Sequence, residues 1–282
     1  MSADTLDAEY CRPLLPARDP DAHKYTFGRV TTICGSLDYA GAAYLASLGA
    51  ARGGAGLVAM AVPDSLRSVL AARLPEAVLV GASTDAISER KPDALVVGPG
   101  LAETDDVRDL VLSILREIDV PKVVDAGALN LLATVDSWWT GLAGDLVLTP
   151  HPGEFERLTG SKPGISDEDR VKAAESAAER FGQVVVLKGA RTVVAAPDGR
   201  VAVSPIANAA LATAGSGDVL AGLTGALLAQ GATPFDAGCL GVYLHGRAGE
   251  RLSTRMGNAG VLASDIAHEI PPTRHELHAH SG

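Results

Sequence analysis

Cysteine is scarce. The three present, Cys11, Cys34 and Cys239, stand apart with no metal-ligand spacing, which leaves neither a disulfide framework nor a zinc site and fits a reducing cytoplasm. A basic patch is also missing: the formal net charge is −10, so a nucleic-acid backbone or an anionic membrane would be repelled. The leading segment from Met1 to His23 carries Asp4, Asp7, Glu9 and Arg12 where a secretory signal needs an unbroken apolar core. The longest apolar region, Val219 to Leu244, is interrupted by Gln230, Pro234 and Asp236, and reads as two buried helices rather than a membrane span. No Ser/Gly-rich linker, charge block or internal repeat divides the chain. The expectation is one domain over 23–270, an N-terminal extension over 1–22 and a frayed tail from Pro271 to Gly282. Neither a Walker loop nor a Rossmann dinucleotide fingerprint occurs.

What the chain does have is a 47% hydrophobic composition over 282 residues, enough for a full core. Short β-rich runs recur at Arg29 to Cys34, Gly56 to Val62, Ala94 to Val97, Lys122 to Val124, Leu146 to Leu148 and Val184 to Leu187. Several are apolar at nearly every position, as parallel strands covered on both faces must be. Helices are expected between them, at Gly41 to Arg52, Asp64 to Arg73, Asp105 to Glu117, Ala128 to Thr134 and Asp167 to Phe181. The pair Thr192 to Ala196 and Arg200 to Val203 flanks Pro197-Asp198-Gly199, a hairpin signal. Helices follow over Ser216 to Gln230, Pro234 to Leu252 and Ser264 to Ile270, the last opened by Asp265. The fold class is a three-layer α/β/α sandwich, mostly parallel, with an antiparallel edge hairpin.

The most informative string is Ala212-Thr213-Ala214-Gly215-Ser216-Gly217-Asp218, which runs into an apolar helix. Small residues let backbone crowd a ligand, and a helix opening there aims unpaired N–H groups, here those from Ala214 to Gly217, at an anion such as phosphate. A carboxylate beside bound phosphate has a reason to be there if it handles a hydroxyl or a metal near a transferring phosphoryl group. A glycine-rich turn whose Asp218 only caps the helix accounts for the string equally well.

Four strand ends run into glycine or proline and should share one rim: Ile33-Cys34-Gly35-Ser36, Val97-Gly98-Pro99-Gly100, Val124-Asp125-Ala126 and Leu148-Thr149-Pro150-His151-Pro152-Gly153-Glu154. Gly98 and Gly100 also suit a plain turn out of a buried strand. His151, fixed between two prolines, projects from a rigid turn; alternatively it precedes a helix with Pro152 first and Glu154 in its opening turn, and both can hold. Lys188-Gly189-Ala190-Arg191-Thr192 offers a cation and close backbone approach to a nucleotide phosphate, or merely a charged hairpin edge. His245 in an apolar helix reads as a satisfied structural residue.

Taken in order, these segments, with His23-Lys24, Phe27-Gly28, Gly53 to Val58, Asp125 to Asn130 and Tyr243-Leu244-His245-Gly246, resemble the NAD(P)H-hydrate dehydratase family of the ribokinase superfamily. The resemblance spans His23 to Ile270 and implies a ribokinase-like fold. It further implies ADP- or ATP-dependent dehydration of the (6S) hydrate of NADH or NADPH, with Mg²⁺ accompanying the nucleotide. By position, Ala42, Gly100 and His151 contact the hydrated dinucleotide, and Asp218 meets its hydroxyl as the catalytic residue. Lys188, Gly189, Ala190, Arg191 and Thr192, with Gly215, Ser216 and Gly217, hold the nucleotide. No residue is assigned as a metal ligand. The resemblance also implies a homo-oligomer, tetrameric in relatives, and coupling to a separately encoded epimerase. Three departures stand out: Ala102, Gly127 and the stretch Asn208-Ala209-Ala210-Leu211, where Ala210 replaces a glycine and the loop is expected to differ in shape. The rival readings are a kinase for a vitamin-precursor alcohol and a non-catalytic nucleotide sensor.

Overall fold

Apolar runs of three to five residues, too greasy to face water on either side, form most of a ten-stranded sheet in a computed structural model that describes residues 3–279. In chain order the strands are β1 (Asp4–Thr5), β2 (Arg29–Ile33), β3 (Leu57–Ala61), β4 (Val78–Val80) and β5 (Ala94–Val97). They continue with β6 (Lys122–Val124), β7 (Leu146–Leu148), β8 (Val184–Leu187), β9 (Val193–Ala195) and β10 (Val201–Val203). Across the sheet the order is β1-β10-β9-β8-β7-β6-β5-β2-β3-β4. From β8 to β4 every neighbouring pair is parallel, β9 runs antiparallel to both β8 and β10, and β1 lies parallel to β10.

The helices are α1 (Ala8–Cys11), α2 (Ala40–Arg52), α3 (Arg67–Arg73), α4 (Thr84–Ser88), α5 (Asp105–Glu117) and α6 (Gly127–Leu132). Further along come α7 (Pro152–Thr159), α8 (Asp167–Phe181), α9 (Ser216–Ala229), α10 (Pro234–Met256) and α11 (Ala263–Ala279). Alternation along the strands divides the interior in two. Val58, Met60, Ala94 and Val96 join the core under α2, α9, α10 and α11, while Ala59, Ala61, Leu95 and Val97 join the core under α5, α6, α7 and α8. The result is the expected three-layer sandwich, mostly parallel with an antiparallel hairpin.

Several elements depart from the sequence reading, among them the unexpected short helices α1 and α4. The tail does not fray: α11 continues through Pro271 and Pro272 to Ala279, well past the expected end at Ile270. Ile270 and Leu277 are buried, and the Arg274 guanidinium donates to the carbonyls of Gly53 and Pro16, contacts that outweigh the two N–H groups proline lacks. Residues 280–282 of that expected tail, and Met1 and Ser2, lie outside the described residues. The extension over 1–22 is built into the fold rather than appended, since β1 pairs with β10 and both Leu6 and Cys11 are fully buried. β4 forms the far edge without having been expected.

Helix α9 rests directly on α2. A methyl group at Gly222 would collide with the Ala46 carbonyl oxygen, and one at Gly49 with that of Val219, so backbone meets backbone with no side chain between. Among the described residues, no helix is long and apolar enough to cross a membrane.

Candidate active site

The strand order reverses between β2 and β5, and at such a switch point the loops leaving the carboxyl ends part to leave a crevice. The two loops are laced together there: the Gly35 N–H donates to the Pro99 carbonyl at 2.7 Å and the Gly98 N–H to the Ile33 carbonyl at 3.0 Å. Along the same rim follow Asp125 after β6, His151 after β7 and Lys188 after β8, as the four glycine- and proline-bounded strand ends require. Asp125 is followed by Ala126 at φ 51° and ψ −120°, a conformation costly for a residue with a Cβ.

Gly215 opens α9 at φ 85°, a left-handed conformation that glycine takes without strain, and a side chain there would strike Leu45. The Ser216 N–H is committed to the Thr213 carbonyl at 3.2 Å, so it is not among the open donors. Among the described residues, the N–H groups of Ala214, Gly215, Gly217 and Asp218 have no protein partner. Beneath them the buried His245 places Nε2 3.0 Å from both Ser216 Oγ and the Ser216 carbonyl. Burial pulls its pKa down to about 4, with Lys188 adding to the fall against the Ser216 bond, so His245 is a neutral structural residue as expected.

Charge is concentrated beside that turn. The Lys188 Nζ lies 2.7 Å from Asp125 Oδ1 and 3.8 Å from Glu154 Oε2, and Asp125 and Glu154 are both buried. Burial alone would lower the Lys188 pKa, but Asp125, Glu154 and Asp218 together hold it above its ordinary value. Lys188 is thus no exposed hairpin charge. Burial pushes Asp218 up to about 7, helped by the charges of Asp125 and Glu154 and opposed by Lys188. Glu154 is raised as well, chiefly by burial.

A cleft of about 680 Å³ lies on the far side of this cluster from β2. Lys188, Gly189, Ala190, Thr192, Ser216 and Gly217 line it, and its apolar wall includes Ile206, Leu220 and Val242. Arg191 is not among the lining residues; it pairs with Asp167 at the surface. Ala42 and Gly100 meet instead at the switch point, where a methyl on Gly100 would come within 2.6 Å of the Ala42 Cβ. His151 borders the cleft while capping α7: its Nδ1 accepts from the Gly153 and Glu154 N–H groups at 3.0 and 3.3 Å. Ala210 sits buried in a 3₁₀ turn and is not at positive φ, so the missing glycine imposes no strain on that loop. No group of three or more His, Cys, Asp or Glu among the described residues is arranged to hold a metal ion.

Sequence reasoning passed over three members of this site. Asp125 had no role assigned and Glu154 only a place in a helix's opening turn, because nothing local announces Lys188, which lies 63 residues from Asp125 in the chain. Arg170 gave no motif at all. Its guanidinium donates to the carbonyls of Leu187 and Lys188 at 3.1 and 3.2 Å, filling the space under Gly189.

Comparison with known proteins bears directly on this geometry. A family model described as Carb_kinase, NAD(P)H-hydrate dehydratase, matches residues 30–272. The chain is 43% identical over 279 residues to the bifunctional NAD(P)H-hydrate repair enzyme Nnr of Moorella thermoacetica, covering 94% of this chain and 53% of that protein. The chain thus spans about half the length of the bifunctional relatives it matches. It is 43% identical over 258 residues to the ADP-dependent (S)-NAD(P)H-hydrate dehydratase of Neisseria meningitidis, covering 89% of this chain and 86% of that one. The solved structure of the ADP/ATP-dependent NAD(P)H-hydrate dehydratase from Bacillus subtilis, co-crystallised with ATP and Mg²⁺, superimposes with a TM-score of 0.88 at 33% identity, covering 98% of this chain and 99% of that chain.

Proposed function

Because the chain belongs to the NAD(P)H-hydrate dehydratase family, we propose that it returns the (6S) hydrate of NADH or NADPH to the intact cofactor, with ADP or ATP as phosphoryl donor. One observation carries the mechanism: Asp218, a carboxyl group that burial pushes up toward neutrality, stands at the edge of open helix N–H groups and within the field of the Lys188 ammonium.

The nucleotide occupies the cleft lined by Lys188, Gly189, Ala190, Thr192, Ser216 and Gly217, with Arg191 and Gly215 flanking it in the chain and its terminal phosphate against the amides of Gly217 and Asp218. The hydrated ring approaches from the switch-point side over Ala42 and Gly100, with His151 at the boundary between the two ligands. The ring hydroxyl oxygen bonds to the terminal phosphorus as the bond from phosphorus to the nucleotide's bridging oxygen breaks, and Asp218 takes the hydroxyl proton. Lys188 and the open amides stabilise the charge that spreads over the phosphoryl oxygens. The ring nitrogen then expels phosphate, and loss of a proton from the adjacent carbon restores the double bond. The balance is one hydrate and one ADP giving the cofactor, AMP and phosphate. Mg²⁺ fits as a companion of the nucleotide, held by phosphate oxygens and water; no carboxylate of this chain is assigned to it.

Three buried free thiols support a reducing, cytoplasmic setting, and the bifunctional names of the relatives support work alongside an epimerase. A homo-oligomer, tetrameric by resemblance, is the expected assembly, which sedimentation tests. The function is tested by mixing enzyme, ADP or ATP and hydrated NADH: absorbance of the dihydropyridine should return with stoichiometric phosphate release. A stable phosphorylated alcohol from another substrate, or nucleotide binding with no phosphate release, would replace this reading.

A further inference from the structure

Lys188 stands over the first turn of α9, so near that a methyl group on Gly217 would come within 3.3 Å of its Nζ and 3.8 Å of Asp125 Oδ2. An ammonium on a four-carbon stem is a mobile point charge unless something holds it. The close acceptor is Asp125 at 2.7 Å; Glu154 at 3.8 Å is too far for a hydrogen bond. Asp125 is itself 1% exposed and held by unusual backbone: Ala126 follows at positive φ, and Gly98 leaves the space that the Asp125 carbonyl occupies.

A carboxylate this close to a phosphate site repels the ligand it borders, so its presence requires a compensating task. We propose that Asp125 is a positioning residue, clamping the Lys188 ammonium over Gly217 so that the transferring phosphoryl group meets a fixed cation beside Asp218. This rests on the dehydratase reading for the identity of the reaction but not for the clamp itself. The clamp serves the transition state rather than ground-state affinity, since it orients the cation while its own charge opposes the nucleotide.

Its effects separate from those of a merely structural carboxyl. Asp125→Asn should lower kcat about tenfold or more, the scale of one charge-assisted hydrogen bond, while ADP affinity holds or tightens. In turnover it should add little to Lys188→Met, because both remove the same placed cation. The acid limb of the pH profile should also move to lower pH, since the groups facing Asp218 are Asp125, Lys188, Glu154 and the Cys34 thiol, and one negative charge has gone. Losses that multiply in the double variant, a kcat within twofold of wild type, or recovery of Asp125→Asn by added Mg²⁺ would each overturn the clamp.

Calorimetry with ADP alone separates this claim from the identity of the substrate. Lys188→Met should cost more ADP affinity in the Asp125→Asn background than in the wild type, because the freed ammonium turns to the phosphate; equal costs refute the clamp even if the hydrate proves not to be the substrate. Should Asp125→Asn fail to fold, Lys188→Arg, which can still pair with Asp125, should keep several-fold more kcat than Lys188→Met, and equal losses would refute it.

Discussion

His151 and Glu154 cap helix α7 for each other: the His151 N–H donates to Glu154 Oε2 at 2.8 Å while His151 Nδ1 accepts from the Glu154 N–H at 3.3 Å. The acceptor role needs a bare Nδ1. Burial, Lys188 and Arg157 accordingly hold the His151 pKa below its ordinary value.

Replacing His151 should therefore cost folding stability through the lost cap. His151→Ala should cost about 0.5–2 kcal/mol of folding stability through the lost cap, and His151→Asn much less, because asparagine caps well. With the folded pKa depressed, wild-type stability falls as pH drops through about 6.5, where the unfolded imidazole takes up its proton first. Denaturant melts between pH 5 and 8 should show that slope in the wild type and a shallower one in His151→Asn, the remainder coming from the buried His245.

Asp218→Asn should reduce turnover by about 10²–10⁴, the usual worth of a general base, with little change in nucleotide affinity. The wild-type kcat/KM should rise through a limb near pH 7 as Asp218 ionises, and the variant should lack it. The stability effect has the opposite sense. A folded pKa raised from 3.8 to about 7 means that the stability Asp218 contributes is present below pH 4 and lost as pH climbs through 7. Asp218→Asn should thus melt higher than wild type at pH 8, with the gap closing at pH 4.

Lys122 is fully buried, its ammonium bonded to the Val120 carbonyl at 2.8 Å and to that of Ala143. Burial drops its pKa to about 8, against the pull of Asp119 and Asp145. Folding then releases a proton above pH 8, so Lys122 adds an increase in stability between pH 8 and 10, against the fall that the buried Cys11 and Cys239 thiols impose. Lys122→Met should abolish that increase; melting temperatures that run parallel in the two proteins would refute the assignment.

Gly222→Ala places a methyl against the Ala46 carbonyl, which cannot yield as a side chain can. Overpacking of this kind should cost on the order of 1–3 kcal/mol. Because the displaced helix carries the open amides, nucleotide affinity should fall in proportion, as calorimetry can check.

The parallel body of the sheet was legible because strands buried on both faces are spelled as unbroken Val, Leu, Ile and Ala. β1 was not, since Asp4 and Thr5 are half of a pairing whose other half lies near residue 202. Helix α7 was seen only as an entry turn, and the end of α11 was hidden by two prolines that usually stop a helix. In the site, Gly215 to Asp218 could be read directly because the turn that leaves their amides open is local. The pairing of Asp125 with Lys188 could not: it depends on β6 and β8 flanking β7, which is decided by the whole sheet.

The sheet ends on short strands, two residues in β1 and three in β4. A stray segment seeking to extend either border finds only a couple of amides to grip, and at β1 a negatively charged Asp4 beside them. The long, water-averse strands are all interior, so growth by edge-to-edge addition, the ordinary route from a large sheet to a fibril, is denied at both margins.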